Sequence, residues 1–199
     1  MKTTSKILLA AIALCIINSS SVFARGGGDN GRFSIGVEAG FPMGDFGTGF
    51  KTGFGGTLRY EHPVGDNLAL MLTTGIIAFG AKDNTIANYS GPSSATAPIQ
   101  VGAKYYFQEQ QSGFYGQAEL GVHIFVLASQ TVGTETVKAS SSTGFSYAPA
   151  VGYALDNWDF SVRYQLFSYA PTDLISGSTS SSVTWSYLGL RAAFVFGSR

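Results

Sequence analysis

The 199-residue sequence contains a single cysteine, and only 12 % of its residues are charged, against roughly 25 % in an ordinary soluble domain. One cysteine cannot form an intramolecular disulfide. Twelve basic residues are balanced by twelve acidic ones, so the clustered Lys/Arg excess that phosphate backbones require is missing and no nucleic-acid partner is expected. Two histidines without a spaced ligand cluster give no metal site. No glycine motif opens a helix to hold a phosphate, so no cofactor is expected. The Gly-x-Ser-x-Gly nucleophile turn is also absent, and no catalytic residue is assigned. No apolar run reaches 18 residues and no window carries a 3.6-residue apolar stripe, which excludes helical membrane spans. What the sequence does have is 26 glycines, 14 % aromatic residues and 45 % hydrophobic residues. That is too apolar for a disordered chain and, by length, fits one domain.

The first 24 residues read as a secretory signal peptide. Lys2 and Lys6 form the positive start, Ile7 to Ile17 the apolar segment, and Val22-Phe23-Ala24 the cleavage site. The apolar segment is too short to span a bilayer as a helix, which takes about 20 residues. Cys15 follows Leu14, where a lipoprotein signal needs a small residue, so lipidation is not expected. Cleavage after Ala24 leaves residues 25–199 as a single domain, without cysteine and with a net charge of −2.

Beyond that point period-2 alternation recurs. Ile99, Val101, Ala103 and Tyr105 alternate with Gln100, Gly102, Lys104 and Tyr106. Similar alternation runs over Tyr115 to Val126, Trp158 to Leu166, and the last stretch to Phe196. Arg32 to Phe41, Gly53 to Glu61, Asn67 to Phe79 and Gly144 to Leu155 fit the template less cleanly. These make eight predicted strands, with Pro149 marking a bulge or a weak pairing in the sixth. The connections alternate in length. Long Gly- and Ser-rich segments follow strands one, three, five and seven (Pro42 to Thr52, Gly80 to Ala97, Leu127 to Thr143, Ser168 to Ser182). Short turns follow strands two, four and six (His62 to Asp66, Gln108 to Ser112, Asp156-Asn157). Strands of about 9–11 residues with this asymmetry suit a membrane-spanning up-and-down barrel.

A soluble ligand-carrying barrel would share the strand count. Its water-facing surface would be roughly 25–35 % charged, whereas here the polar faces carry about one charge per strand and are rich in Gly, Ser and Ala. Aromatic residues gather at the strand ends. Tyr60, Tyr105, Phe107, Phe114, Trp158, Phe160, Phe194 and Phe196 lie towards one rim, and Phe79, Phe125, Phe145, Tyr147, Phe167 and Trp185 towards the other. Two such belts read as interfacial girdles. The sequence therefore predicts an all-β fold, an eight-stranded antiparallel transmembrane barrel with strand eight closing on strand one, since hydrocarbon tolerates no unpaired edge.

The chain resembles the small eight-stranded outer-membrane β-barrels, the group that includes the outer membrane protein A barrel and OmpX. The markers are Phe41-Pro42-Met43-Gly44-Asp45-Phe46 with Gly53-Phe54-Gly55-Gly56, and Tyr187-Leu188-Gly189-Leu190-Arg191 in the last strand. The aromatic Phe196 that closes the alternating run matches the family's insertion signal, although Gly197-Ser198-Arg199 follow it. The resemblance implies a Gram-negative outer-membrane protein, with membrane lipid as its surroundings.

An eight-stranded barrel is barely wide enough for its own side chains. Glu38, Arg59, Lys104, Glu119, Arg163 and Arg191, with Gln100, Gln117 and Gln165 between them, are expected inside as a paired structural network, because an isolated buried ion costs several kcal/mol. The alternative is a narrow polar path for small solutes or ions. His123 shares the inward face with Glu119, which raises a third possibility, a lipid-modifying enzyme, but no nucleophile accompanies them. His62 reads as a turn residue. The Ser-rich tracts Ser140-Ser141-Ser142 and Ser176 to Ser182 are expected in outside loops, which could carry a surface ligand. The expected protein is a monomer with a structural or surface-interaction role and no enzymatic activity.

Overall fold

The computed structural model describes residues 31–84, 89–90, 93–127, 130–132, 135–137, 140–169 and 183–197. The expected signal peptide, residues 1–24, and the Ser176 to Ser182 tract lie outside the described residues. In chain order the strands are β1 (Arg32–Met43), β2 (Phe50–Pro63), β3 (Leu68–Ala81), β4 (Asp83–Asn84), β5 (Tyr89–Ser90), β6 (Ser94–Tyr106), β7 (Gly113–Leu127), β8 (Gln130–Val132), β9 (Glu135–Val137), β10 (Ser140–Leu155), β11 (Trp158–Tyr169) and β12 (Val183–Phe196). A six-residue helix, α1 (Gly44–Gly49), joins β1 to β2. The eight long strands form one closed barrel in the order β1-β12-β11-β10-β7-β6-β3-β2, and β4-β5 and β8-β9 are small hairpins in the connections. All pairings are antiparallel between chain neighbours, and closure comes from β1 against β12, with Phe33 opposite Phe196 and Glu38 opposite Arg191.

The alternation decides which face is which. Val37, Val101, Leu120 and Val151 on the outer wall are between 53 % and 69 % exposed, while Gln100, Lys104, Glu119 and Arg163 on the opposite parity are at most 2 % exposed. A water-soluble barrel would invert that arrangement. Apolar residues face outward and polar ones fill the lumen, the pattern of a barrel whose surroundings are apolar.

Every strand that the alternation predicts is present, and most run two to four residues further at the end carrying the long connections. Ser140, Ser141 and Ser142 belong to β10 rather than to an outside loop. They pair with Leu127, Val126 and Phe125, because small polar residues extend a ladder readily once the partner strand is already extended. Pro149 causes weak pairing without a bulge. It stays in register with Ala118 of β7, while Ala148 and Pro149 make no pair with β11 and the register is unchanged on either side of them. The missing donor therefore falls on one edge only. The short turns are tight, and Asp156 adopts φ 44 in the two-residue connection between β10 and β11, a backbone that Asp accepts better than most residues.

Candidate functional site: the barrel lumen

The lumen is built in two layers, and the strand register sets both. At the end with short turns, Arg32, Glu61, Arg59, Lys104 and Asp159 enter from β1, β2, β6 and β11 and are all buried. Lys104 Nζ donates to Asp159 Oδ2 at 2.6 Å and to Glu61 Oε1 at 2.9 Å. Tyr106 and Tyr115 donate their hydroxyls to Glu61 Oε2 (3.0 Å) and Asp159 Oδ1 (2.8 Å). Both rings also stand against the Lys104 ammonium, which lies 3.9 Å from the Tyr115 centroid. Arg191 donates to Asp159 Oδ1 at 3.3 Å, to Thr57 at 2.7 Å and to Ser34 at 2.8 Å. Asp159 is thus a hub for Lys104, Tyr115 and Arg191, with Arg59 Nη1 3.9 Å away. Arg32 closes the bottom against Glu61 at 3.6 Å and donates to Gln111 in the turn between β6 and β7.

One step higher, Arg59 donates to Glu119 (3.0 Å), Gln117 (3.1 Å) and Thr73 (3.1 Å). Arg163 donates to Glu38 at 2.7 Å and to the Tyr187 hydroxyl at 3.1 Å. Glu38 and Arg191 face each other across the closing seam, yet each bonds elsewhere, Glu38 to Arg163 and Arg191 to Asp159. Space for these groups comes from inward glycines. A Cβ on Gly189 would come within 2.5 Å of Glu38 Oε1 and 3.0 Å of Arg163 Cγ, and one on Gly152 within 2.3 Å of the Tyr115 hydroxyl. Glycine in these strands makes room for large polar side chains, consistent with its role where side chains or backbones approach closely.

The structure thus buries all six charges expected inside, Glu38, Arg59, Lys104, Glu119, Arg163 and Arg191, and adds three, Arg32, Glu61 and Asp159. The added residues lie on the same parity as Ser34, Arg59 and Ser161, so the alternation already marked them. Their position at the strand ends hid them.

The upper layer, at the end with long connections, is aromatic. Phe79, Phe125 and Phe167 are 1 % exposed and point inward. With Trp185 they surround the ring of Phe46, the one buried side chain of α1. Phe46 stacks on Trp185 at 5.1 Å and meets Phe79 (5.0 Å), Phe167 (5.6 Å) and Phe125 (6.2 Å) edge to face. This corrects two expectations. Four of the six aromatics assigned to the girdle at this rim line the lumen, leaving Phe145 and Tyr147 exposed on the outside. The first long connection is not an open loop either, since α1 folds back over the barrel mouth. The aromatics at the other rim do face outward, with Tyr105, Phe107, Phe114 and Trp158 between 48 % and 65 % exposed.

His123 lies between the layers. Its ring is buried, stacks on Phe167 at 4.3 Å, and neither nitrogen has a hydrogen-bond partner among the described residues. Glu119 does not orient it, because that carboxylate accepts from Arg59 and Gln117 instead. No nucleophile–base–acid arrangement therefore forms around His123 among the described residues. His62 is exposed in β2 with its ring 6.4 Å from Tyr60. No group of three or more His, Cys, Asp or Glu residues among the described residues could hold a metal ion.

An antiparallel eight-stranded barrel with an apolar exterior and a polar, plugged lumen is the architecture of the small outer-membrane barrels, and solved structures show the same fold. The chain is similar to Ail, the attachment invasion locus protein of Yersinia pestis, solved in complex with the heparin analogue sucrose octasulfate. The TM-score is 0.55 at 13 % identity, covering 83 % of this chain and 97 % of that one. It is also similar to Neisserial surface protein A, with a TM-score of 0.52 at 14 % identity, covering 82 % of this chain and 96 % of that one. No protein-family model and no curated protein sequence matches the chain.

Proposed function

We propose that this chain is an integral protein of the Gram-negative outer membrane, exported by its N-terminal segment and surrounded by lipid as a monomer. It acts as a non-enzymatic scaffold for its outer connections rather than as a pore. The observation that carries this reading is the closure of the lumen twice over. Below, five cations and four carboxylates from six of the eight strands interlock across the lumen. Above, α1 seats Phe46 among four aromatic rings. Continuous water through such a column would require breaking buried ion pairs and displacing the side chains that fill the lumen. The outer wall supports the lipid reading, because a band of exposed Val, Leu, Ile and Phe has no favourable contact with water. Ail was solved with a sulfated sugar bound, and a ligand recognised by the outer connections is the corresponding reading for this chain.

Fractionation of expressing cells tests the location, with gel migration before and after boiling testing the barrel. Recovery in the outer-membrane fraction with a mobility shift on boiling is the expected result, and a soluble periplasmic protein with no shift contradicts it. Liposome swelling then separates scaffold from pore. Reconstituted protein is expected to leave swelling in small sugars at the rate of empty vesicles.

A further inference from the structure

The site at the barrel mouth has the form of a ligand pocket that the chain fills itself. Phe79, Phe125, Phe167 and Trp185 come from four different strands of a rigid barrel, so the box they make persists whatever α1 does. Its occupant rests on a weak support. Three of the six residues of α1 are glycine, Gly44 has φ 54, and no side chain caps the helix N-terminus. Phe46 alone is buried, and the tethers at its far end are Lys82 Nζ to the Gly47 carbonyl and the Lys82 amide to the Gly49 carbonyl. A short glycine-rich helix has little tendency to persist by itself, and it is held by the Phe46 ring in the box and by Phe50, whose ring lies 4.9 Å from that of Phe46 and whose amide donates to the Phe46 carbonyl. Beneath it, His123 stacks on Phe167 with both nitrogens unpartnered among the described residues. Buried polar groups are normally satisfied, and such an exception points to a missing partner.

We propose that this box is a binding site for a small aromatic molecule carrying one hydrogen-bonding group, a phenol in the simplest case. Its ring takes the place of Phe46 and its hydroxyl bonds to His123, while α1 swings out from the mouth. The aromatic box selects a flat apolar ring by edge-to-face and stacked contacts, and the histidine selects for the polar substituent. The chain's own phenylalanine is a competing ligand, so occupancy of the site also reports on the position of the first connection.

The test uses folded full-length protein in detergent micelles, with the mobility shift on boiling as the check on folding. Trp158 and Trp185 are the two tryptophans, so Trp158→Phe leaves Trp185 as the sole reporter, and Trp185→Phe leaves Trp158 to report phenol dissolved in the micelle. The expected result is a saturable change in Trp185 emission with phenol and a linear one for Trp158. Phe46→Ala tightens phenol binding about tenfold by removing the competitor, and His123→Phe brings phenol down to the affinity of benzene. A linear response of Trp185 in the wild-type background overturns the proposal. Equal phenol affinity with and without Phe46 overturns it as well, and so does binding by the Phe46→Ala protein alone. The wild-type titration decides the matter even if the Phe46 variant does not fold.

Discussion

The two halves of the lumen hold the same number of strands and the same inward parity, yet they are packed by opposite chemistry. In the lower half each charge is fixed by a partner on another strand, and the hub at Asp159 joins β6, β7, β11 and β12. In the upper half the contacts are between rings, edge to face or stacked, and completed by a residue from outside the barrel strands. The lower half is therefore integral to closing the barrel, and the upper half is a stopper set into a barrel already closed. Buried ion networks need every member, because a partner left behind is an uncompensated charge. Aromatic clusters lose one ring at a time.

Removing the hub should separate the halves most sharply. Asp159→Ala leaves Lys104 and Arg191 without a shared acceptor and should cost about 3–5 kcal/mol, read as a lowered urea midpoint for loss of the folded, heat-modifiable band. The paired change Asp159→Leu with Lys104→Met removes both signs together but leaves Arg191 without Asp159 and Glu61 without Lys104, so it should recover only part of that loss. Phe46→Ala comes next, at about 3 kcal/mol, but the loss is local. Hydrogen exchange should accelerate across residues 44–49 while the urea midpoint of the barrel stays in place. A fall in the global midpoint equal to that of Asp159→Ala would merge the two halves into one cooperative unit. Gly189→Ala puts a methyl group where Glu38 Oε1 and Arg163 lie 2.5–3.2 Å away. Overpacking of this kind costs about 1–3 kcal/mol, measured by the same urea titration. The smallest effect is expected at His62→Ala, exposed and outside both layers, with a shift within about 0.5 kcal/mol.

The same contrast explains what the sequence carries openly. Strand number, closure and the polar interior follow from period-2 alternation, because a one-residue slip would turn Lys104 and Arg163 outward and Val101 and Val162 inward. The lower network is legible for the same reason. Glu38, Arg59 and Lys104 are charges in chains of apolar neighbours, and a charge inside must be paired. Which pairs form is not legible. Arg191 faces Glu38 across the seam and yet bonds Asp159 on its other neighbour β11, two residues along from its register partner Ser161, a matter of side-chain reach that register alone does not decide. The upper layer was misplaced because position at a rim outweighed parity. Phe125 follows Glu119, Gly121 and His123 on the inward face, and Phe167 follows Arg163 and Gln165, so alternation put them inside while their closeness to the strand ends suggested a girdle. The helix was hidden altogether. Gly44-Asp45-Phe46-Gly47-Thr48-Gly49 has neither helix propensity nor periodicity, and it is helical because the aromatic box gives Phe46 a place to be buried.

Planar-bilayer recording on the purified protein tests the two-layer lumen most directly, comparing wild type with Phe46→Ala. Both are expected to stay closed, since withdrawing the stopper leaves the charge network of Arg59, Lys104, Glu61 and Asp159 across the lumen. A large, steady conductance from the wild-type protein would contradict the account.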